Sequence, residues 1–296
     1  MIKNHYFNNT KVVNEIAKME EFEQEMKVSE FGKKKGLFSY INFEAEDIEN
    51  MGPITRFDIM VMDAVYTLAK HGRKKFTLEM LANTIAGKEV SLDKGTSTKL
   101  ASIKASMNKL KTIYVNIDYT GIMRESGKIA QDEEYIKNGS LMPITTYTLK
   151  SQVQRKTKTA YEILGTPILY EYAESLGRIV SVPSAIMTLD GIREDTDFLA
   201  IKQQLIKEIQ IMKNPNNRYT SREIRYEWSG GKKGGFAQRV GLSHNNYSND
   251  IQWKKRKVKL TSQVETILLH LVDVNFIDGY EFIKEGKSIV GVMIDV

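Results

Sequence analysis

Lys254, Lys255, Arg256, Lys257 and Lys259 place five cations within six positions, with no acidic residue among them. Cations at this density suit a polyphosphate backbone, because each ammonium or guanidinium that meets a phosphate releases a condensed counterion. Ser262, one turn further along, adds a hydroxyl that both donates and accepts. A chance surface run or an import-like patch has the same composition, so the surrounding elements must decide between the readings. Lys284 and Lys287 form a second basic set near the tip of a strand-like pair, and Lys232 and Lys233 a third, inside Ser229-Gly230-Gly231-Lys232-Lys233-Gly234-Gly235. That last stretch is not the phosphate loop of an NTPase, which requires Gly-x-x-x-x-Gly-Lys-Ser/Thr after a strand; no Ser or Thr follows these lysines. A basic loop that brushes a nucleic-acid backbone is the better reading.

Catalytic groupings are hard to find. His5, His71, His244 and His270 are far apart and form neither a His-x-His nor a His-Glu-x-x-His metal motif. A rolling-circle nickase needs such a histidine pair beside its tyrosine, which disfavours that class. Asp58 with Asp63, or Glu44, Glu46 and Asp47, could be read as paired carboxylates, but no partner base or nucleophile accompanies them and surface solvation accounts for them better. The expectation is a chain that is not an enzyme and has no catalytic residues, metal or cofactor.

The elements that position the basic groups follow an order that occurs twice. In the first copy, Phe57, Val61, Ala64, Val65 and Leu68 fall at helical spacing and Gly72 is a stop. Thr77 caps a short helix from Leu78 to Ala86, which turns Met80, Leu81 and Ile85 inward. After a polar linker, a helix from about Ser97 to Lys111 buries Leu100, Ile103, Met107 and Leu110. Its other face carries Thr98, Ala101, Ser102, Ala105 and Lys109, flanked by Lys104 and Asn108. Small residues let the helix axis approach a groove floor, while Lys and Asn supply donors. The runs Ile113–Tyr119 and Ile144–Leu149 alternate with period two and are expected to pair as one hairpin wing. Its tip, with Glu125, Asp132, Glu133 and Glu134, is too acidic for phosphate contact.

The second copy starts with the stripe Phe198, Ile201, Leu205, Ile209 and Met212. Tyr219-Thr220-Ser221-Arg222-Glu223-Ile224 repeats the logic of Phe76-Thr77-Leu78-Glu79-Met80-Leu81 and predicts a second capped helix carrying Arg222 and Arg225. Beyond the glycine-rich stretch, Ile251 to Val274 forms a long helix with Trp253, Leu260, Val264, Ile267, Leu268 and Leu271 inward. Its first half is basic and its second half turns acidic at Glu265 and Asp273, a polarity suited to a helix that enters a groove by its N-terminal end. Phe276–Phe282 and Ser288–Asp295 close the copy as a second hairpin.

The chain has 296 residues, 41% hydrophobic and 27% charged, enough for about two domain cores. The expected divisions are an N-terminal extension over 1–50, a first winged-helix domain over 51–150, a connector over 151–190 and a second winged-helix domain over 191–296. In the extension, Asn14 to Val28 could form a charged helix and Leu37–Phe43 a strand; in the connector, Pro167 begins a helix and Ile179–Pro183 is extended. A net charge of +6 and a pI near 9.1 favour a polyanionic partner. The absence of cysteine excludes disulfides, thiolate zinc sites and cysteine nucleophiles. No apolar run of roughly 18 residues and no signal-peptide pattern is present, so a cytoplasmic location without membrane insertion is expected.

Together these elements read as an α+β chain of tandem winged helix-turn-helix domains that binds double-stranded DNA. Ile54-Thr55-Arg56-Phe57-Asp58, Phe76-Thr77, the Lys99 to Lys111 helix, Pro167–Ala173 and Ile201-Lys202-Gln203-Gln204-Leu205 resemble theta-type plasmid replication initiators. The resemblance spans roughly residues 50 to 296. It implies that the first winged helix contributes to dimerisation and backbone contact, while the second reads repeated sites in an origin. Carried onto this chain, base reading falls on Lys254 to Ser262, with Arg222 and Arg225 as backbone contacts. The glycine-rich insert and the first 50 residues depart from that pattern. The partners expected are double-stranded DNA, a second copy of the chain and host replication proteins. A repressor of its own operator would use the same fold and residues, and winged helices also serve as non-catalytic scaffolds that bind protein.

Overall fold

The computed structural model describes residues 4–9, 11–16, 25–28, 39–45, 52–89, 94–151, 156–189, 191–192, 194–215, 222–226, 235–242 and 247–296. Along the chain these form β1 (Asn4–Asn8), α1 (Lys11–Ile16), β2 (Glu25–Val28), β3 (Ser39–Ala45), α2 (Arg56–Lys70), β4 (Lys75–Phe76), α3 (Leu78–Ala86) and α4 (Lys94–Leu110). Next come β5 (Ile113–Asp118), α5 (Thr120–Glu125), β6 (Ile136–Ser140), β7 (Ile144–Ser151), β8 (Lys156–Ile163), α6 (Ile168–Ser175) and β9 (Ile179–Pro183). A 3-10 turn over Ser184–Met187 leads into α7 (Thr196–Met212), β10 (Glu223–Arg225), α8 (Phe236–Arg239), α9 (Asp250–Asp273), β11 (Gly279–Glu285) and β12 (Ser288–Asp295). The class is α+β, with antiparallel pairing in the sheets of three and four strands. The chain divides into an N-terminal unit, Tyr6–Thr84 with Val90–Ile179, and a C-terminal unit, Val180–Val296 with Met1–His5 and Ile85–Glu89.

In the N-terminal unit α2 is buried on nearly every side, not along a single stripe: Arg56 and all residues from Asp58 to Leu68 are removed from solvent. Its start is a capping box, in which Thr55 Oγ1 accepts from the Asp58 amide at 3.2 Å and Asp58 Oδ2 accepts from the Thr55 amide at 2.7 Å. The same carboxylate receives the Ser106 hydroxyl at 2.6 Å and the Lys109 ammonium at 3.1 Å, both from α4. Asp63 is also fully buried, accepting from the Asn8 amide at 3.2 Å and from the Tyr170 hydroxyl. Asp58 and Asp63 are therefore interior anchors, correcting the expectation of solvated surface carboxylates; their hydrogen bonds offset the cost of burying charge.

Thr77 caps α3 as expected, its Oγ1 3.4 Å from the Met80 amide. The expected wing is different. Ile113–Asp118 and Ile144–Ser151 lie in separate sheets: β5 pairs with β3 and β6 in the order β2-β3-β5-β6, while β7 pairs with β8 in the order β4-β8-β7. Alternation marked the inward residues Ile113, Val115 and Ile117 but says nothing of which strand lies beside them. Glu125 ends α5, and Asp132, Glu133 and Glu134 precede β6, so these acids are not at the tip of the β7–β8 hairpin. The strand expected near Leu37–Phe43 is β3, whereas the helix expected over 14–28 gives way to α1 and β2, with 17–24 outside the described residues.

In the C-terminal unit α7 and α9 pack together, and β10, β12 and β11 form a three-stranded sheet in that order. Asp195 caps α7 through Oδ1 to the Phe198 amide at 2.7 Å, and Asn249 caps α9 through Oδ1 to the Gln252 amide at 2.9 Å. The six apolar residues expected inward on α9, Trp253, Leu260, Val264, Ile267, Leu268 and Leu271, are all buried. At roughly 1.5–3 kcal/mol for each large apolar side chain, that face fixes the helix's rotation and so decides which residues point outward. The capped helix predicted from 219–224 does not form: Glu223–Arg225 is strand β10, paired with Met293, Val292 and Gly291 of β12, and 219–221 fall outside the described residues. Ile224 is buried between outward neighbours, the two-residue period of a strand. The intervening helix is instead the four-residue α8 beyond the glycine-rich stretch. Gly291 permits this pairing, since a Cβ there would stand 2.7 Å from the Ile224 carbonyl oxygen and 3.1 Å from Arg225 Cα.

A buried ion pair ties the C-terminal unit together. Lys202, fully enclosed on α7, donates to Glu194 Oε1 at 2.5 Å, the Met187 carbonyl at 2.7 Å and the Ala86 carbonyl at 3.0 Å. The interior location of an ammonium is explained by three acceptors arranged around its three donors.

Candidate nucleic-acid interface

The rotation of α9 sorts its basic residues into two groups. Lys254, Lys255 and Lys259 are exposed on the side away from the packed face, with Ser262 exposed one turn on. Among the described residues no ion pair engages Lys254 or Lys255. Arg256 turns inward at 8% exposure and donates to Asp197 Oδ2 at 2.9 Å, and Lys257 lies over the Trp253 ring at 5.9 Å. Lys259 reaches Asp195 Oδ2 at 3.2 Å. Partial burial disfavours the Asp195 anion, but the Phe198 amide and the Lys259 ammonium outweigh it and hold this carboxyl below its ordinary range. Outward lysines supply a positive field, while the inward arginine fastens α9 to the first turn of α7.

The hairpin after α9 carries Lys284 and Lys287, both exposed, on either side of a turn in which Gly286 adopts φ 60°. A register shift between Ile283 and Lys284 re-aims the strand end just before that turn. Arg222 and Arg225 belong to the strand side of the unit and not to a preceding helix. Arg222 is exposed, and Arg225 donates to Glu223 Oε2 at 2.9 Å and Glu285 Oε1 at 3.0 Å, two carboxylates that compete with any phosphate for its guanidinium. Lys232 and Lys233 lie outside the described residues.

In the N-terminal unit Thr98 and Lys104 are exposed on α4, and Ser102 is half-buried, donating to the Thr98 carbonyl at 3.1 Å. Lys109, read from spacing as a residue of the open face, is engaged by Asp58 and the Pro53 carbonyl. Sequence reasoning also passed over Val258, which shares the outward face of α9 with Lys255 and Ser262 and is 71% exposed. Its position follows from helical geometry, since it lies two residues from buried Leu260 and half a turn around the axis. Among the described residues no group of three or more His, Asp or Glu is placed to hold a metal ion, and no helix is long and apolar enough to cross a membrane.

No model of a known protein family matches the chain, and no curated protein matches it. Among solved structures it is similar to a crystal structure of RctB domains 2-3, at 14% identity and a TM-score of 0.47, covering 92% of this chain and 90% of that one. It is also similar to a crystal structure of SeMet derivatives of domain 2 and domain 3 of RctB, at 14% identity and a TM-score of 0.43 with the same coverage. Resemblance at this level bears on neither the family nor the activity of the chain.

Proposed function

We propose that this chain is a sequence-specific double-stranded DNA-binding protein of two winged helix-turn-helix domains, which initiates replication of a plasmid or phage-like element without catalysing a reaction itself. The observation that carries the reading is the arrangement of α9 and its hairpin: Lys254, Lys255, Lys259 and Ser262 face solvent opposite an apolar packing face, and Lys284 and Lys287 follow at a turn. A helix preceded by a short helix and followed by an antiparallel hairpin is the geometry in which the long helix lies in the major groove and the hairpin rides the backbone. In the C-terminal unit α7, β10, α8 and α9 lead directly into the hairpin β11–β12, whereas in the N-terminal unit β5, α5 and β6 stand between α4 and the hairpin β7–β8. In both, the short strand after the first helix pairs with the hairpin's second strand, β10 with β12 and β4 with β8. Phosphate contacts would supply most of the affinity and groove contacts the site choice; strain imposed on neighbouring A·T-rich DNA would assist its opening.

Selection of duplexes from random DNA, followed by footprinting beside the gene, tests the reading. Several direct repeats beside an A·T-rich stretch support initiation. A lone inverted repeat at the promoter makes the chain a repressor, and failure to enrich any duplex makes it a protein-binding scaffold.

A further inference from the structure

We propose that Val258 is a base-reading residue of α9 that recognises the C5-methyl group of thymine in the major groove, an inference that rests on the DNA-binding reading above. Ile251, Lys255, Val258 and Ser262 succeed one another at spacings of four, three and four, and so form a single row along the helix. The row lies opposite Trp253, Leu260 and Val264, the residues that hold the helix to its unit. Val258 occupies the middle of it with 71% of its surface exposed. A branched aliphatic side chain there gains nothing from the core, loses rotamer freedom in the helix and leaves apolar surface in water.

The surroundings of Val258 select its partner. Lys254 and Lys255 precede it and Lys259 follows, all exposed, so any surface that covers the valine must be strongly anionic. A duplex meets both demands: phosphates line the groove walls, and thymine presents an apolar methyl on the groove floor. Further along the same face Glu265 is exposed and reverses the charge, which confines the contact to the first half of the helix. Val258 is short enough to let the helix axis approach the base edges while the longer lysines reach outward to the strands on either side.

The test uses the full chain and a duplex recovered by selection from a random library. Each thymine of that duplex is replaced in turn by uracil, which removes the methyl and keeps the hydrogen-bonding edge. The wild type is expected to lose roughly four-fold in affinity at one or two positions, the value of one buried methyl. Val258→Ala should bind the unmodified duplex weaker by about the same factor and be indifferent to uracil at those positions. An equal loss on uracil substitution in Val258→Ala and the wild type, or no loss at any uracil position in the wild type, overturns the proposal while leaving DNA binding intact. Salt-independent binding, or failure to enrich any duplex, ends the DNA-binding reading and this one with it. Self-association abolished by Val258→Lys would assign the row to a second copy of the chain and overturn the proposal as well.

Discussion

Lys259 Nζ stands 3.2 Å from Asp195 Oδ2, so an outward lysine of α9 is held by the carboxylate whose other oxygen caps α7. The pair is half exposed, and its net worth to stability is below about 1 kcal/mol. Its consequence for binding is larger, because the aspartate occupies the ammonium as a phosphate oxygen would. Asp195→Asn keeps the capping acceptor and removes the charge. We expect a urea-unfolding change below about 1 kcal/mol together with tighter DNA binding at low salt. Unchanged low-salt affinity would take Lys259 out of the interface.

The same carboxylate makes stability depend on pH. Its folded pKa lies below the unfolded value, so its contribution is complete above that unfolded value, near ~3.9, and is lost as pH falls through the folded pKa. Below about pH 4 the wild-type urea midpoint should therefore fall more steeply than that of Asp195→Asn. Parallel acid profiles would show that Asp195 is not the group responsible.

Asp58 joins the start of α2 to the side of α4 by accepting from Thr55, Ser106 and Lys109. Asp58→Ala should cost about 3 kcal/mol, because it strands several buried donors, and Ser106→Ala about 1 kcal/mol. The double variant should cost little more than Asp58→Ala alone, since both act in one network; additive losses in denaturant unfolding would disprove the coupling.

The C-terminal unit should be as sensitive at Lys202. Lys202→Met leaves Glu194 buried without its cation and is expected to cost about 3–5 kcal/mol by calorimetry or urea. Gly87→Ala tests the same neighbourhood by sterics. Gly87 has φ 76°, and a Cβ on it would lie 2.3 Å from Met187 Cβ, so a melting temperature equal to that of the wild type would show that this packing is wrong.

What could be read from the sequence was whatever depends on local period and capping. The inward face of α9, the Thr77 cap and the Pro167 helix all rest on residues within a few positions of one another. What could not be read was pairing at a distance. The partners of β5 and β10, and the interior role of Asp58, each depend on segments tens of residues away. Glu223–Arg225 is a strand although Thr-Ser before the Arg-Glu-Ile run carries a helix-cap signal, because that signal is present whether or not a helix follows. At the interface, spacing gave the apolar face of α9 but did not single out Arg256 as inward, nor show that Arg256, Arg225 and Lys109 are already engaged by carboxylates.

The salt dependence of duplex binding tests the central claim most directly. The wild-type chain is compared with Lys254→Ala/Lys255→Ala/Lys259→Ala between roughly 50 and 200 mM salt. All three side chains are exposed, so the variant should fold as the wild type does. The account predicts a linear fall of log K with log salt in the wild type, and a slope shallower by about one for each lysine that meets a phosphate, up to roughly three. Equal slopes for the two proteins would remove α9 from the DNA and contradict the account.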